Sequence, residues 1–317
     1  MRSGLAAFLL FLPNLLWAHD VPSVRYADVG GAIILETEGT GVDESSLFAI
    51  ASVGKTFTSV AVLRLVERGL VSLDAQVSGI LPPDDTAELD GVDGVTLRHL
   101  LTMTSGIADY YTDDYLDAAL EDPLRWQFPR AALDFVAGEP PLFAPGEGFD
   151  YSNTNYLLLG LVLEQVTGLS YAAVLDREIF GPAGMTESFV FGSRPLPESF
   201  VTGHSRGRHV RDYYAGQGFG DGGALSSARD LVRFYTALFT ERRLLGETSL
   251  REMRRDPGGE GYGMGLVAAG DLVGHTGGDL GFASDVVMNI ATGDVAVVLV
   301  GEENGDTTWA YDLIAGQ

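Results

Sequence analysis

SLFAIASVGKTFTSVAVLRLVER, residues 46–68, is a short apolar strand-like run followed by a turn and a helix. Apolar residues recur at helical spacing over 56–68, and Gly69 stands where a helix C-cap belongs. The turn carries Ser52-Val-Gly-Lys55. Residues three apart share a helix face, so Lys55 would stand beside the Ser52 hydroxyl. A lysine held in a dry pocket can act as a base for that hydroxyl. The free N–H groups and positive dipole end of the helix favour a developing oxyanion. Lys55 is also the only lysine in the chain, against 19 arginines. Arginine does not release its proton in proteins, so this is chemistry that arginine could not perform.

Two other local patterns compete. Residues 49–56, AIASVGKT, fit a relaxed phosphate-loop pattern. Ala49 replaces its first glycine, and Ile50 and Val53 occupy a loop that is usually glycine-rich. Residues 203–207, GHSRG, formally match the nucleophile elbow G-x-S-x-G. The polar, Gly- and Tyr-rich run 206–223 behind it is not the amphipathic helix such an elbow needs, and it reads as an exposed turn. Two further pieces fit better with Ser52 and Lys55. Tyr151-Ser152-Asn153 precedes a strong helical pattern at 154–167. A tyrosine there serves as acid or base if a nearby ammonium lowers its ordinary pKa of about 10. Asn153 could donate to a substrate carbonyl, and Ser152 or Asn153 could cap the helix. His275-Thr276-Gly277-Gly278 lies between two strand-like runs, where glycine lets a backbone approach a ligand.

The remaining pattern sets the architecture. Residues 31–37 read as a strand, and so do 265–269, 282–290 and 295–300. Helical patterns cover 96–101, 114–137 in broken form, 170–180, 228–239 and 307–315, with Ser227 and Asp230 spaced for a capping box. Strands at both ends with helices between them are not the alternation of a parallel doubly wound sheet. The expected fold class is α/β (α+β): an antiparallel sheet flanked by helices, built from both termini, with an inserted, mostly helical domain. The expected boundaries are 19–70 and 210–317 for the sheet domain and 71–209 for the insertion. Few residues precede Ser46, so one sheet strand is expected to be missing or merged.

Composition excludes several classes. With 317 residues, 46% hydrophobic and 20% charged, the chain can bury a substantial core and is not disordered. It has no cysteine, which excludes disulfides and thiolate chemistry. A net charge of −24 argues against nucleic acid or an anionic membrane as partner. Arg2, the mostly apolar run 5–17 and Ala18 read as a cleavable secretory signal, residues 1–18, with a retained anchor as the lesser alternative because the run is short and interrupted for a membrane span. The mature protein is therefore expected to be periplasmic or secreted.

Ser52-x-x-Lys55, Tyr151-x-Asn153 and His275-Thr-Gly277 come in the order and approximate spacing of the serine β-lactamase and penicillin-binding protein superfamily. The sequence most resembles its class C-like branch, with D-Ala-D-Ala carboxypeptidases, D-amino-acid peptidases and esterases. Residues 100–106 (LLTMTSG), 143–146 (FAPG), 181–185 (GPAGM) and 222–227 (GGALSS) look like family landmarks. The resemblance implies an acyl-enzyme mechanism with Ser52 as nucleophile. It implies that Lys55 and Tyr151 share the acid and base roles, without deciding which deprotonates Ser52. It puts Asn153 on the substrate amide, the N–H groups of Ser52 and Gly278 in the oxyanion hole, and His275 and Thr276 on a substrate carboxylate. No class A-type Ser-Asp-Asn triplet or acidic deacylation residue is recognisable, so Tyr151 is expected to govern deacylation. No metal or cofactor is implied; the expected partner is a small-molecule or peptide substrate. Many relatives have lysine where this chain has His275, whose unperturbed pKa is about 6.5. KM for a carboxylate-bearing substrate is accordingly expected to rise between about pH 6 and 8.

Overall fold

The computed structural model describes residues 21–205 and 207–316; the expected signal segment, 1–18, lies outside them. The described chain opens with strands β1 (Ser23–Val29) and β2 (Ala32–Glu38), joined by Gly30 and Gly31 at φ 59° and 81°. Two successive residues at positive φ form the tight turn whose twist suits paired strands, and glycine adopts it without Cβ strain. This turn corrects the expectation of a missing strand. A two-residue connection leaves room for both strands before Ser46.

After β3 (Phe48–Ala49) comes a single turn, Ala51–Val53, and then α1 (Gly54–Glu67). Every residue of α1 from Gly54 to Leu63 is buried, so the helix runs through the core rather than along its surface. Its polar side chains are satisfied within the core. Thr56 Oγ1 donates to the Gly265 carbonyl at 2.7 Å, and Ser59 Oγ lies 2.9 Å from the Tyr156 hydroxyl.

The middle of the chain supplies α2 (Leu97–Leu101), α3 (Asp113–Glu121), α4 (Pro123–Trp126), α5 (Pro129–Leu133), α6 (Asn153–Thr167), α7 (Tyr171–Leu175) and α8 (Gly181–Ala183). Next come β4 (Phe189–Val190), a small hairpin of β5 (His204–Ser205) and β6 (Arg208–His209), and β7 (Ala224–Ser226). β7 pairs with both β3 and β4. In α9 (Ala228–Tyr235), Ser227 Oγ accepts from Asp230 N at 3.2 Å, but Asp230 Oδ2 reaches across to Glu187 N, Ser188 N and Ser188 Oγ. The expected reciprocal cap thus becomes a tether between α9 and the segment before β4.

The chain finishes with α10 (Glu247–Met253), β8 (Val267–Ala269), β9 (Leu272–Asp279), β10 (Phe282–Asn289), β11 (Val295–Val300) and α11 (Trp309–Ala315). The main sheet runs β2-β1-β11-β10-β9-β8, antiparallel throughout. Its two ends meet where Val24 lies opposite Leu299. This is the antiparallel sheet built from both termini that the layout predicts. One face, with Val286, Met288 and Val297, packs into the main core around α1 and α6. The other, with Ala283, Val287 and Val298, lies under Ala310 and Ile314 of α11.

Three local expectations are resolved here. Residues 275–278 are not a turn between strands but the second half of β9. Ser205 sits in the β5–β6 hairpin, donates to the Glu303 carboxylate and is followed by a strand, which removes the nucleophile elbow. Lys55 is fully buried against side chains of its own core and faces no open phosphate cradle.

Candidate active site

The Ser52 turn is held from two sides. Ser284 Oγ of β10 donates to the Ile50 carbonyl at 2.8 Å. β9 presses against the same turn, and a Cβ at Gly277 would come within 2.5 Å of the Ile50 oxygen. Only glycine permits that approach. Ala51, beside Ser52, takes φ 46°, a conformation uncommon outside glycine.

Lys55 Nζ lies 3.0 Å from Ser52 Oγ, 2.7 Å from Asn153 Oδ1 and 2.6 Å from the Asp221 carbonyl. A lysine ammonium has three protons, and all three have acceptors. The Tyr151 ring centroid is 5.0 Å from Nζ, and the Tyr151 hydroxyl is buried without a hydrogen-bond partner. Ser52, Tyr151, Asn153 and Gly278 line one cavity of about 200 Å³. The structure therefore brings together Ser52, Lys55, Tyr151 and Asn153, with the Gly278 backbone beside them.

Asp109 was not foreseen. Its carboxylate accepts from Asn153 N at 2.9 Å and from Asn153 Nδ2 at 3.0 Å. Neither Ser152 nor Asn153 caps α6 with its own side chain; Asp109 takes the helix N–H instead. A carboxylate accepts only, so it turns the Asn153 amide nitrogen toward itself and the oxygen toward Lys55. Burial raises the Asp109 pKa, opposed by the Tyr111 N–H, the Asn153 donors and Lys55. Burial also raises that of Asp221, opposed by Lys55 and the Tyr110 hydroxyl. The sequence around Asp109, IADYY at 107–111, carries no spacing that marks it.

His275 and Thr276 depart from their expected places. His275 is 5% exposed and its Nε2 lies 3.1 Å from the Tyr262 hydroxyl. Its Nδ1 faces the Thr276 carbonyl, so Nδ1 carries the proton and Tyr262 donates to Nε2. Burial, with Lys55 nearby, pushes its pKa down to about 4. The ring is neutral between pH 6 and 8, which removes the basis for the expected KM trend. Thr276 lies opposite Asp285, and directly opposed residues share a sheet face. That is the sheet face of Ala283 and Val287, on which Thr276 itself is exposed, whereas Ser284 and Gly277 face the Ser52 turn. Thr276 offers that turn its backbone only.

Residues 12–315 match the Beta-lactamase family. The chain belongs to that family. A Beta-lactamase-family relative, penicillin-binding protein 4* of Bacillus subtilis, is 30% identical over 88% of this chain and 65% of its own length. Esterase EstB of Burkholderia gladioli is 31% identical over 73% of this chain and 68% of its own length. The chain spans less than two thirds of the Bacillus protein and 47% of penicillin-binding protein 4 of Amycolatopsis lactamdurans. Among solved structures, a D-stereospecific amidohydrolase from Streptomyces sp. superposes with a TM-score of 0.79 at 28% identity, covering 93% of both chains. A penicillin-binding protein from Bacillus halodurans superposes with a TM-score of 0.77 at 26% identity, covering 93% of this chain and 94% of that one. The family and these relatives are serine hydrolases.

Proposed function

We propose that the protein is an exported serine hydrolase that cleaves amide or ester bonds through an acyl-Ser52 intermediate. The favoured substrates are D-amino-acid peptides, with small esters second and β-lactams third. The observation that carries the reading is the buried Lys55 ammonium 3.0 Å from Ser52 Oγ, with Ser52 at the cavity wall and Lys55 buried behind it. Export rests on the apolar run 5–17 alone.

The donor count around Lys55 supports a division of labour. With three protons committed, Lys55 acts as a fixed cation that orients Ser52 and stabilises charge. Tyr151, whose buried oxygen has no partner, takes the Ser52 proton as the phenolate, becoming the phenol, and returns that proton to the leaving group. The Ser52 oxygen attacks the carbonyl carbon and the oxyanion meets the Ser52 and Gly278 N–H groups. The leaving group departs with the proton from Tyr151. Water then repeats the sequence on the acyl-enzyme, with Tyr151 again as base.

A fluorescent penicillin, mixed with the protein and with Ser52→Ala, tests this by intact mass. A stable adduct that needs Ser52 supports a penicillin-binding peptidase with slow deacylation. Rapid lactam loss without adduct raises the β-lactamase reading to first place. Ser52→Ala as active as the parent on p-nitrophenyl acetate and on D-aminoacyl p-nitroanilides would overturn the nucleophile assignment.

A further inference from the structure

The cavity beside Ser52 has a strong imbalance between hydrogen-bond donors and acceptors. Asp221 and Asp279 line it, and among its described lining residues there is no arginine or lysine. The nearest ammonium, Lys55, has its protons committed elsewhere. The tyrosines that meet these carboxylates do not correct the imbalance. Tyr110 donates its one hydroxyl proton to Asp221 Oδ2 at 2.7 Å. The Tyr111 hydroxyl donates to Asp279 Oδ1. Tyr214 lies 3.2 Å from Asp279 Oδ2 and 2.8 Å from the Leu280 carbonyl. A hydroxyl that has donated offers only lone pairs.

An independent observation lies in the same wall. Gln127 lines the cavity and is only 2% exposed, yet neither atom of its side-chain amide has a hydrogen-bond partner. The Tyr213 hydroxyl lies beside it without meeting hydrogen-bond geometry. A buried amide left in this state destabilises the site, and a bound ligand can recover that loss. Against two unused donors, Gln127 Nε2 and the Tyr151 hydroxyl, stand two carboxylates, hydroxyl lone pairs and the unused Gln127 amide oxygen, a balance that suits a cationic ligand. A primary ammonium is such a ligand, and the aromatic walls favour a cation further.

We propose that Asp279, with the Gln127 amide, determines specificity by receiving a free ammonium group on the acyl part of the substrate. Asp279 lines the same cavity as Ser52 and shares with Gly277 the β9 face that meets the Ser52 turn, and the proposal places its carboxylate on the acyl side of the scissile bond. The substrate class is then an N-terminal aminoacyl amide or ester. Acyl groups bearing a carboxylate are repelled. The proposal rests on the acyl-Ser52 reading, and its test separates the two.

The test compares D-alanine p-nitroanilide with its N-acetyl and N-succinyl forms, in the parent and in Asp279→Asn. One charge-assisted contact predicts that the parent prefers the free amine by about 10-fold or more in kcat/KM, and that Asp279→Asn brings the ratio toward one. Burial raises the Asp279 pKa to about 6, opposed by Tyr111, Leu280 N–H and Tyr214, with Asp221 adding to the rise. The carboxylate ionises above that value, and a substrate α-amine loses its proton near pH 8. The preference therefore peaks between these limits and fades below pH 6. Equal or better turnover of the acylated substrates would overturn the ammonium assignment and leave the hydrolase reading standing. If none is hydrolysed, titration calorimetry of Ser52→Ala with D-alaninamide and N-acetyl-D-alaninamide decides. Tighter binding of the free amine supports the cavity assignment without the reaction; equal or absent binding overturns it.

Discussion

At the residue scale, Asn153 forms the hinge of the site. Both ends of its amide are used, one on Lys55 Nζ and one on the Asp109 carboxylate. Asp109→Ala removes the group that dictates the amide orientation and leaves the α6 N–H unpaired. Asp109→Asn keeps the size but can present a donor where an acceptor is needed. We expect Asp109→Ala to lower kcat for a p-nitrophenyl ester by about 10–100-fold with a smaller change in KM, as for lost positioning rather than lost contact. A larger change in KM than in kcat would refute the positioning role. Much of this centre is legible from sequence. A lone lysine three residues after a serine, at a helix entry, is chemistry written in adjacent residues. Asp109 is not legible, because a helix N–H and an amide nitrogen 44 positions away supply its meaning.

At the scale of the element, β9 explains why His275 and Thr276 diverge from expectation. Successive strand residues point to opposite faces. His275 points inward to Tyr262 and Thr276 points to the opposite, exposed side of β9, so the pair cannot both meet one carboxylate by their side chains. Period-2 alternation becomes readable only once 275–278 is known to be strand, and the glycines at 274, 277 and 278 hide that in the sequence. Because the imidazole is neutral above about pH 4, KM for a carboxylate-bearing substrate should show no His275-dependent rise between pH 6 and 8. Parallel KM profiles for the parent and His275→Gln across that range are the expected result. The unfolded chain takes up a proton near pH 6.5 and the folded one near pH 4, so His275 lowers stability only as pH falls through that interval.

At the scale of the whole molecule, the sheet separates two environments. Its inner face carries the reaction centre; its outer face is a thin apolar layer beneath α11. Asp285 stands in that outer layer, 6% exposed, and burial pushes its pKa up to about 7. The folded state holds this proton up to about pH 7, whereas the unfolded state releases it near 3.8. The penalty is absent below pH 3.8, grows as pH rises and is complete above pH 7. Asp285→Asn should therefore stabilise the protein at pH 8, by at most about 4 kcal/mol, and change little at pH 4. Thermal unfolding at the two pH values checks this; equal shifts at both would point to packing instead of charge. The order of strands and helices foretells the two-ended sheet, since an antiparallel sheet needs no crossover helices. The sequence does not show the extra N-terminal strand, because a Gly-Gly turn inside an apolar run looks continuous.

The burial of Lys55 also reaches into the handling of the protein. The chain has one lysine, and in the folded state its side chain is 0% exposed with three acceptors around it. Amine-directed reagents therefore find no lysine side chain on the surface of the described residues. Lysine–lysine crosslinkers will be silent about assembly, whatever the assembly is. Any acylation that does reach Lys55 becomes a chemical report that the interior has opened.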